Sequence, residues 1–317
     1  MGAGETQRAC DRAGALRARI ALCYRYRLFP KVCILGTCRM DKKTLSRLLV
    51  GEFSLKRLVR SALFIYACVC IYGYFFADGL IFKPQPASYG DTRETLKLTV
   101  ADGVRISAVY LPNRQAHYTI LFSHGNAEDL GDIRWVLEEL RDIGFAVFAY
   151  DYRGYGTSEG TPSELGAYGD INAAYNYLTQ KLRVPPAQII VYGRSVGSGP
   201  SVDLASRQPV AGLVLENPFI SAFRVVTRIP IVPFDKFANI DKIKRVRCPV
   251  LVAHGTADAV IPFWHGQELF AAANPPKRFL PVVGAGHNDV MEVAGQEYEK
   301  ALREFAEALR RGENPNP

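Results

Sequence analysis

The sequence predicts an α/β fold: a mainly parallel sheet flanked by helices, a short cap insertion, and an apolar helix ahead of it all. Three observations carry that expectation. Short apolar runs of strand length recur from residue 118 onward, and stretches of helical pattern separate them. That alternation is the signature of a parallel sheet buried on both faces. A glycine-bounded turn, Gly193-Arg194-Ser195-Val196-Gly197, joins one of those strands directly to a helix. Finally, Ser61 to Ala77 is a run of seventeen residues without a charge, and it stands before every strand.

The 317 residues suffice for one large domain, and 48% hydrophobic with 22% charged residues excludes wholesale disorder. A net charge of +8 suggests nucleic acid until it is located. Residues 1–60 hold 14 of the 39 Lys/Arg and only 4 of the 31 Asp/Glu, so the remaining chain is slightly acidic. No nucleic-acid partner is expected. Cys10, Cys23, Cys33, Cys38, Cys68 and Cys70 share that N-terminal region, and only Cys248 follows. The domain therefore has no internal disulfide to form, which suits either redox compartment.

The elements follow in chain order. Residues 1–60 read as a basic, cysteine-containing segment without order, and residues 61–82 as a transmembrane anchor. The charge-free run spans about 25 Å as a helix, and Leu58, Val59 and Leu80 to Phe82 extend it toward a ~30 Å hydrocarbon core. A buried core helix is the alternative, but no turn of the run has a polar face. Lys42, Lys43, Arg47, Lys56, Arg57 and Arg60 precede it and fewer cations follow. The positive-inside rule thus leaves the N-terminus in the cytosol and sends the domain across. Residues 1–39 admit three readings: an acylated start on Met1-Gly2-Ala3-Gly4-Glu5-Thr6 with Cys10, an arginine-rich transit peptide, or an extension upstream of Met40.

Lys83-Pro84-Gln85-Pro86-Ala87 opens a stiff linker, residues 83–90, leading off the membrane. The domain takes residues 91–311, and residues 312–317 are a tail. It begins with a hairpin, because Leu96, Leu98 and Val100 alternate with polar residues, Asp102-Gly103 turns, and Val104, Ile106 and Ala108 alternate again. Predicted strands are Tyr118–Phe122, Phe145–Tyr150, Gln188–Tyr192, Val210–Leu215, Pro249–Ala253 and Arg278–Val283. Predicted helices are Asp132–Asp142, Ser163–Lys181, Gly199–Ser206, Trp264–Ala273 and Val290–Arg311.

Chemistry concentrates at the ends of these strands. In G-x-S-x-G placed between strand and helix, the turn is so tight that side chains at Gly193 and Gly197 have no room. The Ser195 hydroxyl is left exposed near the positive end of the following helix. The strand Pro249–Ala253 leads into His254-Gly255-Thr256-Ala257-Asp258, and Arg278–Val283 leads into Gly284-Ala285-Gly286-His287. All three side chains fall on one sheet edge, in nucleophile–acid–base order. Ser195 is the expected nucleophile, His287 its base, and Asp258 the acid that fixes the imidazole tautomer. An oxyanion hole needs two N–H donors. Val196 supplies one, and Asn126 or Ala127, in Ser123-His124-Gly125-Asn126-Ala127, supplies the other by backbone or, for Asn126, by side chain.

Phe122–Ala127, Tyr150–Gly156, Gly193–Gly197, His254–Asp258 and Gly284–Asp289, in this order, resemble the α/β-hydrolase superfamily. More narrowly they are similar to membrane-associated α/β-hydrolase-domain proteins that include protein depalmitoylases. Asn239–Ile243 is also similar to that subgroup. The resemblance runs from Leu96 to Phe305, roughly two thirds of the chain. It implies the α/β-hydrolase fold and a serine hydrolase needing no cofactor and no metal. It also implies that Asp151 and Arg153 hold a loop rather than react. The N-terminus departs, since those depalmitoylases carry an acylated cysteine-rich segment instead of a spanning helix. A depalmitoylase of cytosolic proteins needs its domain in the cytosol, whereas the flanking charges send it across.

Other candidates weigh less. Glu216 at a strand end is a second candidate acid. His124 reads as support for the oxyanion loop, His254 as buried and hydrogen-bonded, and His117 and His265 as surface or packing residues. Cys248 reads as a small hydrophobe. The cap, about 218–247, mixes apolar residues fit to line an acyl channel with cations suited to phospholipid headgroups. The expectation is a membrane-anchored hydrolase of acyl esters or thioesters, with membrane lipid as a neighbour and its oligomeric state open. A peptidase on the same residues and a non-enzymatic membrane scaffold are the alternatives.

Overall fold

The structure, a computed structural model, describes residues 54–312. The readings of residues 1–39 and of most of the basic segment lie outside these residues, as does nearly all of the tail. Helix α1 is Leu55–Ile81, 27 residues or about 40 Å, and it is long and apolar enough to cross a membrane. It begins six residues ahead of the expected Ser61, because Leu55 to Arg60 are good helix formers and the Ser54 carbonyl accepts the first N–H groups. From Cys70 onward a stripe of residues three or four apart, Cys70, Gly73, Ala77 and Ile81, is shielded together with Asp78, while the other residues of the helix stay exposed. The helix end is therefore docked on the domain.

The linker lies fastened to the domain: Ser88 N–H donates to Asp129 at 2.7 Å and Tyr89 OH to Asp151 at 2.5 Å. Proline spacing makes the segment stiff, and these two anchor points decide where it lies.

The hairpin forms as β1 Leu96–Thr99 and β2 Arg105–Leu111. Strands β3 Thr119–Ser123, β4 Ala146–Tyr150, β5 Ile189–Arg194, β6 Gly212–Glu216, β7 Val250–Gly255 and β8 Lys277–Val282 complete one eight-stranded sheet. Its order is β1-β2-β4-β3-β5-β6-β7-β8, antiparallel through the hairpin and parallel from β4 onward. Helices α2 Arg134–Ile143, α3 Glu164–Asn176, α4 Ser198–Ala205, α5 Ala222–Thr227, α6 Asn239–Lys242, α7 Trp264–Ala272, α8 Val290–Ala294 and α9 Gln296–Arg311 surround it.

Alternation along β5 shows why both faces need cover. Ile189 and Val191 pack with α3, α4 and the cap, while Ile190 and Tyr192 pack with α2 and α9. Each fully buried aliphatic side chain, such as Leu137 or Leu140 on α2, contributes about 1.5–3 kcal/mol. The helix expected over Val290–Arg311 is broken at Gly295, whose φ of +48 no helix interior tolerates. Because β3, β5, β6, β7 and β8 are parallel, their carboxyl ends share one edge, and the loops carrying the candidate residues emerge there.

Candidate active site

Ser195 follows β5 immediately, with φ +54, a left-handed conformation that costs a non-glycine residue roughly 1–3 kcal/mol. Neighbouring backbone enforces it. A Cβ on Gly193 would lie 2.5 Å from the Gly197 carbonyl, and one on Gly197 only 2.1 Å from the Ser123 carbonyl. The serine is lifted off the strand end, 8% exposed, with its hydroxyl 2.9 Å from His287 Nε2.

His287 Nδ1 lies 2.7 Å from Asp258 Oδ2. The other carboxylate oxygen accepts the N–H groups of Val260 and Ile261, each at 2.8 Å. Burial alone would push the Asp258 carboxyl up. The hydrogen bond and charge of His287, with those two backbone donors, outweigh it and hold the group below its usual value. The structure thus brings Ser195, His287 and Asp258 into one hydrogen-bonded chain. Glu216 is not in it. Its carboxylate meets Arg194 at 3.2 Å and Tyr298 OH at 2.9 Å, facing α9.

The loop after β3 approaches the serine closely: a Cβ on Gly125 would sit 3.7 Å from Ser195 Cβ. Of the two oxyanion donors considered there, Ala127 N–H is engaged by Asn126 Oδ1 at 3.0 Å. The Asn126 side chain is engaged too, since its amide donates to the Ile81 carbonyl at 2.5 Å. Asn126 backbone N–H has no partner among the described residues, and Val196 N–H sits in a first helical turn without an intrahelical acceptor. Ala127, with φ +58, shapes the turn instead.

Comparison with known proteins shows the family. A family model described as serine aminopeptidase, S33, matches residues 114–240. Alpha/beta hydrolase domain-containing protein 17B of Xenopus tropicalis is 44% identical over 221 residues, which span 68% of this chain and 75% of that protein. The human 17B protein is 43% identical over the same shares. This chain belongs to the α/β-hydrolase domain-containing protein 17 family. It is a serine hydrolase. The chain is also 47% identical to alpha/beta hydrolase domain-containing protein aho-3 of Caenorhabditis elegans over 198 residues, 62% of this chain and 58% of that one. Among solved structures, an esterase of Pyrococcus furiosus superposes with a TM-score of 0.61 at 20% identity, covering 71% of this chain and 98% of its own. At that identity it shows the α/β-hydrolase fold alone.

The supports of the site in this hydrolase are of two kinds. Some follow expectation. His124 is fully buried beneath the loop, with Nδ1 2.7 Å from the Gly125 carbonyl. His254 is buried with Nε2 2.9 Å from the Ile261 carbonyl. Asp151 accepts Leu130 N–H at 2.9 Å, and Arg153 pairs with buried Asp170 at 2.8 Å, so both hold loops. Cys248 is half-buried, and burial pushes its thiol up to about 12. Other supports were missed. Asn217 donates to the His287 carbonyl at 2.7 Å and accepts Gly255 N–H at 2.9 Å, tying the histidine loop to the end of β7. Arg194 donates to the Asn288 carbonyl at 2.9 Å. Glu128 accepts Gly125 N–H at 2.5 Å. The available signal for Asn217 was its place just past β6 on the functional edge.

His265 is a packing residue with a titration consequence. It is fully buried, stacked on Trp264 at 3.8 Å, and its Nδ1 lies 3.3 Å from Ile220 N–H. Accepting that bond requires the neutral ring. Burial, then the charge of His254, pushes the His265 pKa down to about 4. The unfolded side chain titrates near ~6.5. Between these values the unfolded chain takes a proton that the folded chain refuses, so His265 costs stability as pH falls through that window. His265→Gln is expected to flatten the fall of Tm between about pH 6.5 and 4. An unchanged slope in that variant would contradict the assignment.

Proposed function

We propose that this hydrolase is membrane-anchored and cleaves acyl esters or thioesters through an acyl-Ser195 intermediate. One observation carries the reading: a cavity of ≈590 Å³ reaches Ser195 and His287, and its walls are largely apolar, with Val69, Tyr72, Ala77, Phe219, Val226 and Ile231 among them. Such walls suit an acyl chain. In the first step His287 Nε2 takes the hydroxyl proton as Ser195 Oγ bonds to the acyl carbon. The carbonyl π pair moves onto oxygen, toward the N–H groups of Val196 and Asn126. Collapse expels the alkoxide or thiolate, which receives the proton from His287. Water, activated by the same imidazole, then hydrolyses the acyl-serine.

The match to a serine aminopeptidase model favours a second reading, peptide hydrolysis. Aminopeptidase action on a free amino terminus calls for a free carboxylate to meet the substrate ammonium. Glu128, the carboxylate lining the cavity among the described residues, is already held by Gly125 N–H and lies 3.7 Å from Arg194. We therefore place esters first. The proposed anchor is helix α1, and the cations that precede it favour a cytosolic N-terminus with the domain across the membrane.

A single experiment addresses both points. In sealed vesicles with the cytosolic face outward, a membrane-impermeant fluorophosphonate should label Ser195 only after detergent is added. The solubilised protein should hydrolyse p-nitrophenyl esters in preference to aminoacyl-anilides. Equal labelling of Ser195→Ala would defeat the nucleophile assignment, labelling without detergent would reverse the topology, and faster anilide turnover would select the peptidase.

A further inference from the structure

The last turn of helix α1 is fixed by contacts that anchoring alone does not require. Phe82 is buried among Tyr152, Tyr155 and Phe237, with ring centroids 5.9–6.3 Å away. Asp78 accepts Glu164 N–H at 3.2 Å and pairs with Lys236 at 3.1 Å. Higher on the helix, Gly73 and Tyr74 pack on Phe234 of the cap, the two rings edge-on at 5.7 Å. The closing contacts converge on one residue. Asn126 Nδ2 donates to the Ile81 carbonyl at 2.5 Å, and Asn126 Oδ1 accepts Lys83 N–H at 2.9 Å. Tyr155 OH completes the knot, donating to Asn126 Oδ1 at 2.7 Å while 3.0 Å from Lys83 N.

Both poles of the Asn126 amide are thus bound to the backbone that ends the helix. The same residue carries the unpartnered N–H of the loop beside Ser195. We propose that helix α1 is a positioning element of the catalytic centre: through the Asn126 side chain, its last turn sets where the Asn126 N–H stands over the developing oxyanion. This rests on the acyl-serine reading above. The anchor and the active site are then one mechanical unit, and turnover depends on the helix end remaining docked.

The physical reason is the steep distance dependence of oxyanion stabilisation. Loss of one donor costs about 10²–10³ in kcat, and a displacement of about 1 Å costs up to about 10²-fold. Asn126 lies in a loop of small residues, Gly125 before it and Ala127 after it, and the side-chain knot restrains it directly against such a shift. Cavity walls contributed by the helix would act on substrate binding. The knot acts on the chemical step instead, which is what separates the two roles experimentally.

The test uses the full chain in detergent micelles, with p-nitrophenyl acetate and a long-chain p-nitrophenyl ester as substrates. Asn126→Leu keeps the branched outline of the side chain and removes every bond that the Asn126 amide makes. It is expected to lower kcat roughly 10²-fold on both esters, with KM within about threefold. Tyr155→Phe removes one hydroxyl, keeps the fold by its isosteric shape, and is expected to lower kcat about fivefold on both. A role confined to packing would move Tm and leave kcat alone. A role confined to the cavity wall would raise KM for the long ester only. Either pattern overturns the proposal, and Tyr155→Phe decides if Asn126→Leu fails to fold. Fluorophosphonate labelling of the wild type separates the two levels. A wild type without reactive Ser195 overturns the hydrolase reading together with this one, whereas a reactive wild type whose variants keep full kcat overturns only the positioning role.

Discussion

Ser195→Ala and His287→Ala are each expected to lower kcat by roughly 10⁶-fold, and the double variant by no more than either alone. The reason is the single hydrogen-bonded chain of 2.9 Å and 2.7 Å. Without the hydroxyl there is nothing to acylate, and without the imidazole the hydroxyl keeps its proton. Asp258→Asn should cost about 10⁴-fold, because an amide opposite Nδ1 stabilises the wrong tautomer and cannot balance the imidazolium. The Val260 and Ile261 N–H groups that donate to Asp258 Oδ1 would direct the amide oxygen toward themselves and its NH₂ toward His287. Steady-state kinetics on a p-nitrophenyl ester, with Tm recorded for each variant, measure the series. A folded Ser195→Ala protein within tenfold of wild type would remove Ser195 from the mechanism.

Gly197→Ala is expected to destabilise the protein by about 3 kcal/mol, and to lower kcat about 10²-fold in the protein that still folds. The added methyl would stand 2.1 Å from the Ser123 carbonyl oxygen and 2.8 Å from that of His124. Both belong to backbone at the end of β3, which is bonded on both sides by β4 and β5. No side chain is available to swing away. Relief requires moving α4 or the β3 loop, and the loop carries the Asn126 N–H. Gly286→Ala is the control, since its nearest heavy atom would be 3.4 Å away. It should stay within about 1 kcal/mol. Denaturant unfolding and kcat on the same preparations decide the matter, and a Gly197→Ala protein as stable as the control would refute the steric account.

Much of the strand–helix alternation was legible because buried parallel strands need apolar residues at every position, and these runs have no other use. The β5 run, bounded by the tight turn into α4, fixed the position of Ser195. The chain order of Asp258 and His287 followed from two further strand ends. What escaped was whatever depends on side chains meeting across loops. Asn217 looks like any polar residue after a strand, and its role exists only because the β8 loop folds over it. Nothing in the sequence told that the Asn126 side chain accepts the Ala127 N–H. The break at Gly295 was hidden inside an otherwise continuous helical pattern, since a lone glycine in a helix and a glycine at a kink read alike.

The same division applies to the N-terminal helix. Its length and apolarity are local properties, fixed by composition, and so the sequence alone determined that a helix able to cross a membrane precedes an α/β domain. It also determined which residue types stand at the strand ends. Only the tertiary structure decided that the last turn of that helix rests on the loop beside Ser195 and that its inner face borders the cavity. Those contacts join residues more than forty positions apart, Ile81 and Lys83 with Asn126. Such pairings leave no periodicity in the chain, because they are set by how loops close over the sheet edge and by which polar atoms burial obliges to find partners.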